Sequence, residues 1–299
     1  MTVSVLRRLN TASMALDSLL SGLTVYSHAE LALRQITTDV VEAAACAPPI
    51  AIAAIVLNQV GGRYAIRHCI DSAVLASLVA RQLDQSEAAI LSATAAALTM
   101  NVGMLGEIDS LHARAAPLSS SERERIRRHP ADGAELLRCA GIDDSSWIDC
   151  VLQHHETTDG SGYPQGLRQD DIAVNALLVG MADRYCACIG ARNYRRSLLT
   201  PAALELLIAN NPAQARLVQG FVSLLGPYPP GALVRLDDGA LGVVVDVGAD
   251  GPLVRLLRTA DGGAADQFVR APAIAGALHE DQARLRFSMA AVWGALAAL

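Results

Sequence analysis

Aromatic side chains are scarce in this 299-residue chain: they make up 4% of it, and charged side chains only 18%. With so few rings, a core must be built from Ala, Leu, Val and Ile, and the surplus of alanine favours helix. A basic excess is missing too. The formal charge is −6 and the pI about 5.6, which excludes the broad positive face of a sequence-general nucleic-acid binder; no nucleic-acid partner is expected. The six cysteines (Cys46, Cys69, Cys139, Cys150, Cys186 and Cys188) include no CxxC pair, and a chain of this length needs no disulfide staples. They read as reduced thiols of a cytoplasmic protein. No secretory leader is recognisable, because Arg7 and Arg8 are not followed by an apolar stretch with a cleavage site. Residues 88–106 lack charge altogether and are long enough to cross a bilayer. Ser92, Thr94, Thr99, Asn101 and the glycines lower the hydrophobicity of that stretch, so it is expected to be a buried helix and no membrane partner is expected.

Helical periodicity fills most of the chain. Leu6, Leu9, Met14, Leu16, Leu19 and Leu20 recur near helical spacing, and the pattern resumes over 29–45 until Pro48-Pro49 breaks it. Further helices are expected over 50–57, 64–83, 87–99, 132–139, 145–155, 175–189 and 201–209, with a loop around Gly103, Gly106 and Pro117. A capping box at Ser121/Glu124 or Ser119/Glu122 starts a helix that runs through His129 and turns near Pro130. Beyond PYPPG, near Gly226, the pattern changes. Short Val- and Leu-rich runs at 232–236, 241–247, 253–258 and 267–270 are separated by DDG, GADG and TADGG, which predicts a small antiparallel sheet or barrel, SH3-like in kind. The tail from about residue 272 reads as helix. The expected fold class is mostly α, divided into a helical region 1–56, a helical domain 57–225, and a small β module with a C-terminal helix over 226–299.

The most specific segment is QHHETTDGSGYPQGL, residues 153–167. Adjacent histidines, an acid, then Asp159-Gly160-Ser161-Gly162-Tyr163-Pro164 resemble the HD-GYP family, the metal-dependent phosphodiesterases of bacterial cyclic di-GMP signalling. The likeness continues through YAIRHCIDSAVLA and PLSSSERERIRRHPADGAELL upstream and VGMADRYCACIGARNYRRSLLTP downstream, over about residues 57–210 and more weakly beyond. It implies an HD-type helical bundle with His68, His129, His154, His155 and Asp183 as metal ligands. It also implies that Gly162, Tyr163 and Pro164 line the substrate cleft and meet partner signalling proteins, and that Arg192 and Arg195 face substrate phosphates. Imidazole and carboxylate suit Fe, Mn or Zn. Two such ions would share a bridging carboxylate and a bridging hydroxide; the hydroxide would attack phosphorus in line, with the ions and nearby cations stabilising the charge that develops.

The chain departs from the family where the bridge belongs. Met100 stands in place of a ligand His, Asn101 in place of the bridging Asp, and Met104 in place of a phosphate-binding Lys. Tyr64 stands where members with a third metal carry Glu, and Cys186 where the family usually has Asp. A thioether is a weak ligand for such ions, and a neutral amide cannot hold two dications together. What remains is expected to hold one divalent metal (Fe, Mn or Zn) or none, and hydrolysis to be weak or lost.

Several residues admit a plain reading beside the functional one. Met100 and Met104 read as core filling. Tyr163 and Pro164 fit a turn as well as a contact loop, and Arg192 and Arg195 fit a solvated helix end as well as a phosphate clamp. Cys186 and Cys188 read as buried thiols, and His28, His112 and His279 as surface or capping residues. Three functions follow: a degenerate HD-GYP module that binds a partner protein or cyclic di-GMP, a working phosphodiesterase with a reduced ligand set, and a structural scaffold. The N-terminal helices suit homodimerisation or partner binding alike.

Overall fold

Short polar side chains fix where the helices begin, and buried alanine and leucine decide how they pack. The computed structural model describes residues 4–190, 196–270 and 272–299. In chain order its helices are α1 (Val5–Leu20), α2 (Ala29–Cys46), α3 (Pro48–Val56), α4 (Tyr64–Gln82), α5 (Glu87–Thr99), α6 (Leu105–Ala113), α7 (Ser120–Cys139), α8 (Ser145–Gln153), α9 (Val174–Ile189), α10 (Thr200–Asn210) and α11 (Ala215–Leu225). Five strands follow: β1 (Leu233–Leu236), β2 (Leu241–Gly248), β3 (Gly251–Arg258), β4 (Ala264–Arg270) and β5 (Ile274–Leu278). Short helices α12 (Glu280–Ala283) and α13 (Met289–Trp293) end the chain. Ser4, Ser86, Ser119 and Asp144 cap α1, α5, α7 and α8, each accepting the amide three residues on. The capping box is the Ser119/Glu122 pair.

Helix α4 lies at the centre. It is buried on every face from His68 to Ala80, and α5 and α9 pack directly on it, with α1, α2 and α11 around them. Fully buried alanines on α4 (Ala73, Ala76, Ala80) and α5 (Ala93, Ala96, Ala97) let these axes approach closely, which accounts for the alanine bias of the composition. The charge-free stretch falls here. Glu87–Ala113 is long and apolar enough to cross a membrane by length and composition, but 67% of its most apolar window is buried inside the protein. It behaves as a core helix followed by a tight 3₁₀ turn, Val102–Met104.

The sheet is antiparallel throughout, in the order β4-β3-β2-β1-β5. It rests on α3 through β2. Trp293 Nε1 donates to the Val245 carbonyl at 3.0 Å, and Ser4 Oγ donates to the Leu296 carbonyl at 2.9 Å, so the C-terminal tail ties the sheet back to α1. One apolar core runs through the helices and takes in Leu233, Val243 and Val245; a smaller one lies within the sheet around Val234, Val244 and Val254.

Three local expectations are corrected, and one helix, α11, is added. Helix α7 does not turn at Pro130 but continues through it to Cys139. The expected loop around Gly106 contains α6, α11 follows α10, and residues 274–278 of the expected helical tail are strand β5, paired with β1.

Candidate metal centre

A helix irregularity and a helix end bring histidines together. His129 lies on α7 directly before Pro130. A proline has no amide, so the Ile126 carbonyl, four residues earlier, loses its helical donor. His129 Nδ1 takes that place, donating to Ile126 O at 2.6 Å. His154 caps the C-terminus of α8, where carbonyls lack intrahelical partners. Its Nδ1 donates to the Val151 carbonyl at 2.7 Å. A carbonyl only accepts, so both rings carry the proton on Nδ1 and present Nε2. Those two Nε2 atoms face each other at 3.3 Å.

Burial holds these rings neutral. The His129 pKa is pushed down to about 3 by burial and then by His154; His154 and His155 are lowered chiefly by burial as well. Two neutral imidazoles therefore aim lone pairs at one another in a buried space, an arrangement that a cation between them relieves. His155 completes the group: one ring nitrogen from each of His129, His154 and His155 lies within 4.8 Å of the others. Backbone carbonyls that orient the far nitrogen of each ligand ring are the usual outer support of a metal site. The donor set fits a borderline divalent ion such as Zn, Fe or Mn. His129, His154 and His155 would hold it, and the ion would supply Lewis acidity toward a phosphoryl oxygen.

His68 and Asp183 form a second unit. His68 on α4 and Asp183 on α9 meet through Nε2 and Oδ1 at 2.7 Å. Burial pushes the Asp183 carboxyl up, but the His68 hydrogen bond and the surrounding imidazoles outweigh it and hold the group well below the usual carboxylate range. Behind this pair lies a stack: Tyr64 is 5.4 Å from the His68 ring and 3.4 Å from His112. His112 is thus a backing ring rather than a surface residue, whereas His279 does cap a helix, α12.

The segment 100–104 touches neighbours of both units. Asn101 is buried beside Cys69, its Nδ2 at 4.0 Å from Sγ. A Cβ on Gly103 would come within 2.3 Å of the His129 carbonyl oxygen and 2.6 Å of the Gly133 amide, so only glycine lets this segment lie on α7. Met100 and Met104 are buried. Among the described residues no carboxylate oxygen comes within the 4.8 Å spacing that joins the three histidines, although the Asp183 charge acts on all three. Asp71, one turn past His68, is buried with Oδ1 unpartnered and its pKa raised by burial to about 7. The chain contains no lysine: all 24 Lys+Arg residues are arginines. Cys186 is buried, and burial pushes its thiol up.

The Gly162-Tyr163-Pro164 loop is fastened to the second histidine. A Cβ on Gly162 would meet the backbone of Glu156 and Thr157 at 2.5 Å, and the Tyr163 amide donates to the His155 carbonyl at 3.2 Å. The Tyr163 ring lies 4.7 Å from His155, and the Arg127 guanidinium stands 5.1 Å from the centre of the same ring. The bond before Pro164 is cis. Glu156, which sequence reasoning passed over, is the anchor: its buried carboxylate accepts the amides of Gln165 (2.6 Å), Gly166 (3.1 Å) and Leu167 (3.0 Å). Asp159 closes the adjacent turn by accepting from Ser161 and Thr157. Arg192 and Arg195 lie outside the described residues.

These features define an HD-type helical domain carrying a GYP loop. The HD domain family matches residues 49–214, more than half of the chain, and the chain belongs to that family, in its HD-GYP branch. It is 31% identical over 209 residues to a cyclic di-GMP phosphodiesterase of Pseudomonas aeruginosa, covering 70% of this chain and 50% of that protein. It is 36% identical over 138 residues to the cyclic di-GMP phosphodiesterase response regulator RpfG of Xanthomonas campestris pv. campestris, covering 45% of this chain and 36% of the relative. The chain thus spans half or less of the length of these two relatives. Among solved structures it resembles Bd1817, a HDG"Y"P protein from Bdellovibrio bacteriovorus, with a TM-score of 0.58 at 17% identity over 72% of this chain and 69% of the other, a likeness of fold.

Proposed function

We propose that this chain is an HD-GYP module of cyclic di-GMP signalling that binds a cyclic guanine dinucleotide or a signalling partner at its GYP loop and hydrolyses the phosphodiester poorly or not at all. What supports this reading is the buried neutral amide of Asn101, which the family resemblance aligns with the anion that two dications would share, together with a histidine group that no carboxylate joins among the described residues. Loss of the second ion removes one of the two charges that stabilise the attacking and leaving oxygens. The absence of lysine removes a further phosphate contact.

Elemental analysis of the purified protein, paired with a cyclic di-GMP turnover assay with Mn or Fe supplied, tests it. The expected result is about one divalent ion per chain or fewer and no linear dinucleotide or GMP. Two ions per chain with product release would overturn it. A second reading, a phosphodiesterase working with one ion, is favoured by the preset tautomers of His129 and His154. Product formation at one ion per chain would decide for it.

A further inference from the structure

A cleft of about 830 Å³ opens where the sheet meets the helical bundle, on a different set of residues from the histidine group. Its size lies within the range of small-molecule sites, and junctions between structural units are where such sites concentrate. Leu57 and Leu198 line it from the bundle, and Leu233 and Leu278 from the sheet. Its charges are unevenly used. Arg196 is neutralised by Asp281 at 2.5 Å. Arg67 makes no hydrogen bond or ion pair among the described residues; its guanidinium stands 5.8 Å from the Tyr64 ring. The other wall carries Glu280, an exposed carboxylate on α12 with no ion pair among the described residues.

We propose that this cleft is a second ligand site, for a guanine nucleotide, separate from the metal centre. The planar guanidinium of Arg67 suits a phosphate, which takes two parallel N–H donors. The leucine walls cover a flat base. Glu280 offers two acceptor oxygens, matching a base that presents adjacent N–H donors on one edge, as guanine does. Arg67 directly precedes His68 on α4, so the occupant touches the helix that carries one of the candidate ligands.

Calorimetric titration with GMP in the presence of EDTA tests this without loading the metal centre. Saturable GMP binding is expected, weakened about tenfold or more by Arg67→Gln and by Glu280→Gln, and unchanged by His129→Ala. Thermal melts establish that each variant is folded. Inorganic phosphate and CMP are expected to bind more weakly than GMP. No saturation by about 5 mM GMP would overturn the proposal. So would equal affinity in wild type and Arg67→Gln, equal affinity for GMP and inorganic phosphate, or loss of GMP binding in His129→Ala, which would place the nucleotide at the metal centre instead.

Discussion

Replacing Pro130 by alanine sets helix stability against order at the metal centre. Proline inside a helix costs up to about 3 kcal/mol relative to alanine, because it lacks the amide and its ring crowds the carbonyl four residues back. In α7 that carbonyl, on Ile126, accepts from His129 Nδ1 at 2.6 Å instead. In Pro130→Ala a backbone amide returns and competes for the same oxygen. Helix stability should rise by about 1–3 kcal/mol, a gain of several degrees in melting temperature for a chain of this length. The His129 ring loses sole use of its orienting acceptor. Loss of such an outer hydrogen bond typically weakens metal affinity about 10- to 100-fold; since the carbonyl keeps a second lone pair, the lower end, about tenfold, is expected here. Thermal melts in EDTA read the first effect, and competition titration of Zn or Mn against a chromophoric chelator reads the second. A variant that is more stable and binds metal as tightly as wild type would refute the claim that Pro130 frees the carbonyl for His129.

Gly103→Ala should destabilise the fold by about 3 kcal/mol in urea melts, because the new Cβ meets backbone atoms of α7 rather than a side chain that can move. Glu156→Gln leaves at least one of three loop amides facing an NH₂ group, a cost of about 2 kcal/mol. Hydrogen exchange at residues 165–167 should quicken while that of α4 stays unchanged. The metal-free protein should lose stability as pH falls below about 6.5. There the unfolded chain protonates histidines that burial keeps neutral in the fold, so it binds more protons and stability rises with pH, by up to about 1.4 kcal/mol per pH unit for His129 between about 6.5 and 3 and in the same direction for His154 and His155. Asp71, raised to about 7, acts in the opposite direction between about pH 4 and 7. Three histidines against one acid leave a net loss toward acid, read by urea melts at pH 7.5 and 5.5; equal stability at both would contradict it.

The parts legible in the sequence were those with local spacing. Helical periodicity and capping residues mark α1, α2, α4 and α5, and Asp-Gly turns mark the hairpins of the sheet. Strand β5 was hidden because Ile274-Ala-Gly-Ala-Leu278 has one β-branched residue; its pairing with β1 makes it a strand. The continuity of α7 was hidden because the proline rule counts only backbone donors, whereas a side chain of the same helix takes up the freed carbonyl. Glu156 and His112 were missed for a related reason: one gathers amides nine to eleven residues ahead, and the other stacks on a ring 48 positions earlier in the chain. Neither partnership leaves a periodic trace.

Cyclic di-GMP turnover by the restored variant Met100→His/Asn101→Asp/Met104→Lys, beside wild type and with Mn supplied, is the most direct test of the account. Both proteins are first shown to be folded by thermal melt. Wild type should release no detectable product, and the variant should gain turnover by at least about a hundredfold over background. Wild type already hydrolysing cyclic di-GMP as fast as the folded variant would contradict the proposal that Asn101 disables the chemistry.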